Sequence, residues 1–180
     1  MVTITSLHHD DILLRLHSLN ALLIDCVEGG ASVSFVLPMG EDKARVFWEG
    51  VAASVARDGR QLLVALDDQQ HIIGCVILVT DLPENQPHRA EVAKLLVHSR
   101  ARRGGIARAL MARLEQEARA QGRWLLVLDT ASGSGAEQFY RRCGWQQAGV
   151  IPDYALMPDG ARCSTTLFWK HLAAGSPPGR

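Results

Sequence analysis

Glu91-Val92-Ala93-Lys94-Leu95-Leu96-Val97-His98-Ser99-Arg100-Ala101-Arg102-Arg103-Gly104-Gly105-Ile106-Ala107-Arg108-Ala109-Leu110-Met111 is the stretch that decides the fold. It begins as an apolar strand, passes through a basic glycine turn and continues as an amphipathic helix with the stripe Ile106, Leu110, Leu114 and Ala118. Such a turn leaves the first N–H groups of the helix unpaired, with the positive end of the helix dipole behind them. Gly104 and Gly105 carry no Cβ, so a ligand can approach the backbone closely. Arg100, Arg102 and Arg103 add positive charge around the same spot. This is the chemistry of a phosphate site.

What is missing narrows the kind of phosphate. A nucleotide P-loop needs Gly-Lys-Ser/Thr after its first glycine, and no such triplet follows here. The dinucleotide pattern G-x-G-x-x-G also fails, because Gly133-x-Gly135 is followed by Gln138 where the third glycine belongs. The pattern R-x-x-G-x-[GA] does fit, at Arg102, Gly105 and Ala107. A second pattern, A-x-x-x-Y-x-x-x-G-F, is met by Ala136, Tyr140 and Gly144, with Trp145 in the aromatic place. The two motifs, at this separation and with a strand between them, resemble those of the GNAT superfamily of acyl-CoA-dependent N-acyltransferases.

The rest of the chain reads outward from that stretch. Val2 to Leu7 alternates as a strand, and a helix capped by Asp10 or Asp11 carries Ile12, Leu16, Leu19 and Leu23 to Gly29-Gly30. A second helix from about Glu41 turns Ala44, Phe47, Trp48, Val51 and Val55 inward, with Gly59 as its stop. Gln61–Leu66 and His71–Thr80 read as two strands joined by a polar turn. After the glycine-turn helix, Trp124–Leu128 reads as a strand covered on both faces. A helix from about Ser134 to Cys143 follows, then strands near Gln146–Ile151 and Ser164–Trp169. The order β-α-α-β-β-β-α-β-α-β-β is that of the GNAT fold: α/β, a mixed central sheet with splayed parallel strands and helices on both faces. One domain is expected over 1–172, with a disordered tail over 173–180.

The resemblance implies acetyl-CoA as co-substrate. The backbone of Leu95, Leu96 and Val97 would bond the pantetheine arm as if it were another strand. Arg102, Arg103, Gly104, Gly105, Ile106 and Ala107 would hold the pyrophosphate. The basic residue here precedes the glycine pair, so its side chain leaves from a different place than in the usual turn. Many relatives carry asparagine where Gly133 stands, so Ser134 is the candidate for one pantetheine contact.

A narrower resemblance, to the tabtoxin-resistance group of these enzymes, rests on Gly29–Val33, Arg89–Val92, Leu128–Thr130, Pro152–Tyr154 and Pro158–Gly160. It implies a small acceptor amine, and acetyl transfer to an amine needs a base for the ammonium and an acid for the departing thiolate. Glu91 and Asp129, near the ends of the splayed strands, are the carboxylate candidates for the base. Tyr140, a phenol protonated at neutral pH, is the candidate acid. Phe35, Trp48 and Tyr154 are candidates for the acceptor pocket. Two other outcomes stay open, a protein N-terminal or lysine acetyltransferase and a non-catalytic acetyl-CoA sensor.

Composition sets the outer bounds. Nineteen basic and nineteen acidic residues give zero formal charge, which argues against nucleic-acid or anionic-membrane partners. The longest apolar runs, such as Ile72–Val79, are too short to span a bilayer, and no apolar signal segment opens the chain. Cys26, Cys75, Cys143 and Cys163 are widely spaced, as expected of reduced thiols in a cytoplasmic protein. The pair His8-His9 has no accompanying acidic or sulfur cluster, so no metal is expected. The sequence leaves the oligomeric state open, a homodimer included.

Overall fold

A computed structural model describes residues 1–173; the expected tail from residue 174 onward lies outside the described residues. In chain order the elements are β1 (Thr3–Leu7), α1 (His9–Leu14), α2 (Leu16–Glu28), α3 (Glu41–Ala56), β2 (Arg60–Leu66) and β3 (Ile72–Val79). They continue with β4 (Arg89–Val97), α4 (Ile106–Ala120), β5 (Leu125–Ala131), α5 (Gly135–Arg142), β6 (Gln146–Leu156) and β7 (Arg162–His171). The seven strands form one sheet in the order β1-β2-β3-β4-β5-β7-β6. The β4–β5 pair is parallel and the others are antiparallel.

Strand alternation divides the interior into two cores. Leu62, Val64 and Leu66 of β2 face α1, α2 and α3, where they meet Ile12, Leu22, Leu23 and Trp48. Leu63 and Ala65 face the other way, toward α4 and its stripe Ile106, Leu110, Leu114 and Ala118. All four stripe residues are buried as their spacing predicts. No helix among the described residues is long and apolar enough to cross a membrane.

Several expectations are corrected. The first helix is two helices, broken at Arg15, and its cap is His8 rather than Asp10 or Asp11. Ile12, Leu19 and Leu23 are fully buried as expected; Leu16, beside the break, is only partly so, and Leu22 joins the buried face. α3 ends at Ala56, before Gly59. β5 alternates: Leu126 and Leu128 are buried in the core on the α4 side, Leu125 and Val127 are half-buried on the other face and Asp129 is exposed. β6 runs on through Pro152 to Leu156, with a register shift between Ile151 and Ala155, where the sequence suggested a loop. Proline is tolerated there because β6 is an edge strand with a free side.

One polar clamp ties the helical layer to the end of β4. Asp25 of α2 accepts from the Ser99 N–H at 2.8 Å and the Ser99 hydroxyl at 2.7 Å, with His98 Nδ1 at 3.6 Å. Burial acts to raise the Asp25 pKa, but the Ser99 bonds and the charges of His98 and Arg102 outweigh it and hold it below 3.8. A carboxyl depressed on folding adds stability above its ordinary value and loses it as pH falls through the folded one. Asp25→Ala should therefore cost about 1–3 kcal/mol at neutral pH, measured by urea unfolding. The gap to wild type should shrink below pH 3.8; a gap that does not shrink means the carboxylate is not what stabilises.

Candidate active site

The parallel pairing of β4 with β5 covers Arg89–Leu125, Ala90–Leu126 and Glu91–Val127, and then stops. β5 continues against β7 as far as Ala131–Thr165, while β4 continues against β3 as far as Val97–Gly74. The strands therefore part, and the β5-facing backbone of Leu95, Leu96 and Val97 has no strand partner. Unpaired backbone groups need a partner from water or a ligand.

β4 also carries a bulge, where its pairing with β3 jumps from Ala93–Ile77 to Leu96–Cys75. Lys94 stands in this interval with φ +54°, a left-handed backbone that costs a residue with a side chain. The extra residue reverses the alternation: Val92 belongs to the α4-side core, yet so do Leu95 and Val97.

Two cavities open in the cleft. The larger, about 820 Å³, is lined by Leu95, Leu96 and Val97 and reaches the start of α4 at Arg102, Arg103, Gly105, Ile106 and Ala107. The smaller, about 300 Å³, is bounded by the Gly30–Ser34 segment, Lys94, Asp129, Thr130 and Met157. Leu95, Ser134, Ala136 and Tyr140 border both. Tyr140 therefore sits where the two cavities meet.

The start of α4 presents an uncapped helix N-terminus with arginines around it. Gly105 is its cap residue with φ +75°, and no side chain caps the helix. A Cβ at Gly105 would meet nothing within 4 Å, so the space above its backbone is open. Arg103 is also left-handed, at φ +66°. Arg108, which adds to the basic cluster around the turn, lines the cavity too, from within the first turn of α4. Arg100 instead pairs with Asp67 at 3.6 Å. Gly104 does not line the cavity; it shapes the turn behind the lining residues.

At the junction, Tyr140 is buried between Phe139, Trp145 and Phe168, at ring distances of 5.3, 5.9 and 5.9 Å. Burial, with Cys143 and Asp129 adding to it, pushes its phenol above its ordinary value, so it stays protonated. Ser134 donates its hydroxyl to the Ala131 carbonyl at 2.8 Å, which leaves only its lone pairs for a ligand. Asp129 accepts from the Thr165 hydroxyl at 2.8 Å through one oxygen. Lys94 donates to the Ser34 hydroxyl at 3.1 Å and lies 5.7 Å above the Phe47 ring. Its burial lowers its pKa, helped by Arg60 and opposed by Asp129 and Cys75. Sequence reasoning passed over Lys94, since a lysine within an apolar strand gives no sign that a bulge re-aims it.

The remaining expected residues lie elsewhere. Glu91 is half-exposed, pairs with Arg89 at 2.9 Å and borders neither cavity. Trp48 is fully buried in the core under α3, not on a pocket wall, because its position on the inward stripe wins. Phe35 packs edge-on against Phe47 at 5.4 Å, one row behind Lys94. Tyr154 is exposed on β6, outside both cavities, because the segment holding it is strand rather than loop. Among the described residues no group of three or more His, Cys, Asp or Glu is arranged to hold a metal.

A family model described as an acetyltransferase (GNAT) domain matches residues 58–147, half of the chain, and spans β2 to the start of β6. The chain belongs to the GNAT acetyltransferase family. GNAT structures resemble it along nearly their whole length. An N-acetyltransferase from Staphylococcus aureus Mu50 superposes with TM-score 0.77 at 20% identity, over 96% of this chain and 99% of that one. A ribosomal-protein-alanine N-acetyltransferase from Brucella melitensis gives 0.76 at 25% identity, over 94% and 99%. A phosphinothricin acetyltransferase from Sinorhizobium meliloti, solved in complex with AcCoA, gives 0.78 at 18% identity, over 97% and 90%.

The protein is thus an acetyl-CoA-dependent N-acetyltransferase. Gly105→Glu should abolish acetyl-CoA binding in titration calorimetry. It fills the open approach, strains a left-handed position and sets a carboxylate at the helix N-terminus. Unchanged affinity would remove the turn from the binding site.

Proposed function

We propose that this enzyme acetylates the primary amine of a small amino-acid-like molecule, a toxin or antibiotic of that type included. The observation that carries the reading is the meeting of two cavities of unequal size at one protonated tyrosine. The larger, with its helix N-terminus and arginines, suits the pyrophosphate and pantetheine of acetyl-CoA. The smaller is of a volume that fits a compact acceptor and not a folded segment. When bound, acetyl-CoA supplies a thioester carbonyl for a neutral amine to attack.

In this reading Arg102, Arg103, Gly105, Ile106 and Ala107 hold the pyrophosphate, and the free edge of Leu95–Val97 aligns the pantetheine. Asp129 orients the incoming ammonium and takes its proton, directly or through water. Its free carboxylate oxygen and its position on the small cavity favour it over Glu91, which Arg89 engages. Tyr140 gives its proton to the thiolate as the C–S bond breaks. The absence of any membrane-crossing helix among the described residues accords with a cytoplasmic enzyme.

A second reading, protein N-terminal acetylation, draws on the likeness to the Brucella enzyme. The two part in a screen of thiol release from acetyl-CoA with free amino acids, dipeptides and polyamines against longer peptides. Turnover on the small amines supports the first reading; turnover on peptides alone overturns it.

Two variants test the roles. Tyr140→Phe keeps the ring and removes the donor, so acetyl-CoA affinity should hold while kcat falls by ~10²-fold. An unchanged kcat reduces Tyr140 to packing. Asp129→Asn should lower kcat/KM for the amine by ~10²-fold without affecting acetyl-CoA binding, and Glu91→Gln should have a much smaller effect. The reverse order would move the base to Glu91.

A further inference from the structure

The small cavity contains a cation that the acetyl-transfer step does not use. Lys94 reaches it from the bulge of β4, where the left-handed backbone places the residue out of the strand's alternation. Its ammonium has one hydrogen-bond acceptor, the Ser34 hydroxyl, and lies over the face of Phe47. Among the described residues no carboxylate pairs with it within salt-bridge distance. An ammonium has three donors, and here two lack a protein partner. Partial burial makes such a cation costly unless an anion completes it.

Across the same cavity stands Asp129, close enough for its charge to act on Lys94, with Thr165 on one oxygen and the other free. The cavity therefore offers an unfilled anion site and an unfilled cation site, with Val92, Ala93 and Met157 as apolar wall between. A compact zwitterion satisfies both charges at once.

We propose that Lys94 is the specificity residue of the acceptor pocket, binding the carboxylate of an acceptor whose amine faces Asp129. The inference rests on the small-amine reading above and narrows it to amines that also bear an anionic group, as a free α-amino acid does. Lys94 binds and orients; it exchanges no proton in the transfer. The hydrogen-bonded charge pair is made equally in ground and transition states, so its loss appears mainly in KM.

The test compares free amino acids with their C-terminal amides as acceptors, using the full-length enzyme and saturating acetyl-CoA. Wild type should prefer the free acid by roughly 10- to 100-fold in kcat/KM. Lys94→Met should raise KM for the acid by a similar factor, leave the amide nearly unchanged and so erase the preference. Lys94→Arg should restore much of it, and acetyl-CoA affinity by calorimetry should match wild type in both variants. A merely structural lysine would depress acid and amide together, and that outcome overturns the proposal, as does a wild type indifferent to amidation. If no small amine of either kind is acetylated, the small-amine reading itself fails and takes this one with it.

Discussion

The parting of β4 from β5 beyond the Glu91–Val127 pair is the constraint on which the rest of the molecule depends. A parallel pair inside a sheet ordinarily continues until its strands end. Here each strand keeps its other neighbour and gives up this one, so a gap opens in the middle of the sheet without loss of the sheet. The edge so freed has no strand beside it over Leu95–Val97, and only the Val97 carbonyl meets other groups there, Cys26 Sγ and Arg102 Nε, each at 3.5 Å, so its backbone stands open to another extended chain. Both cavities lie in that gap, and each side chain assigned a chemical role borders it.

Charge is distributed along the gap in a definite order. At one end the uncapped N-terminus of α4 and the arginines around it form a positive field. At the other, Asp129 and Lys94 present one charge of each sign. Between them Tyr140 is neutral, and burial among aromatic rings pushes its phenol further above its ordinary value. In the proposed mechanism a neutral donor there answers the charge that develops on sulfur, between the proposed polyanion and zwitterion sites. The ends are held in place from outside the gap: Asp25 ties the turn before α4 to α2, and Thr165 of β7 fixes one oxygen of Asp129.

Much of this was legible along the chain because it rests on local rules. The glycine turn and the stripe Ile106, Leu110, Leu114 and Ala118 report a helix start and a buried face within one segment. The placement of Tyr140 on the second motif follows from its own helix, and the volume behind Gly105 follows from a missing Cβ. Trp48, Phe35 and Tyr154 line neither cavity, and the sequence could not place them for a common reason: an aromatic side chain carries the same sequence signal whether it packs in a core, backs a second row or lies on an edge strand. Glu91 and Asp129 look equivalent as carboxylates on neighbouring strands. They differ because Glu91 lies before the strands part, within reach of Arg89, and Asp129 lies beyond.

By itself the sequence determined the order of elements apart from the break at Arg15, the glycine turn that opens α4 and the place of Tyr140 on α5, since each depends on residues a few positions apart. The tertiary structure alone decided where β4 and β5 separate, which carboxylate borders the gap and that Lys94 turns into it. Those outcomes depend on a register shift against β3 and on segments far away in the chain, Gly30–Ser34, Phe47 and Thr165. A bulge is a difference between two strands, so no single strand's sequence contains it.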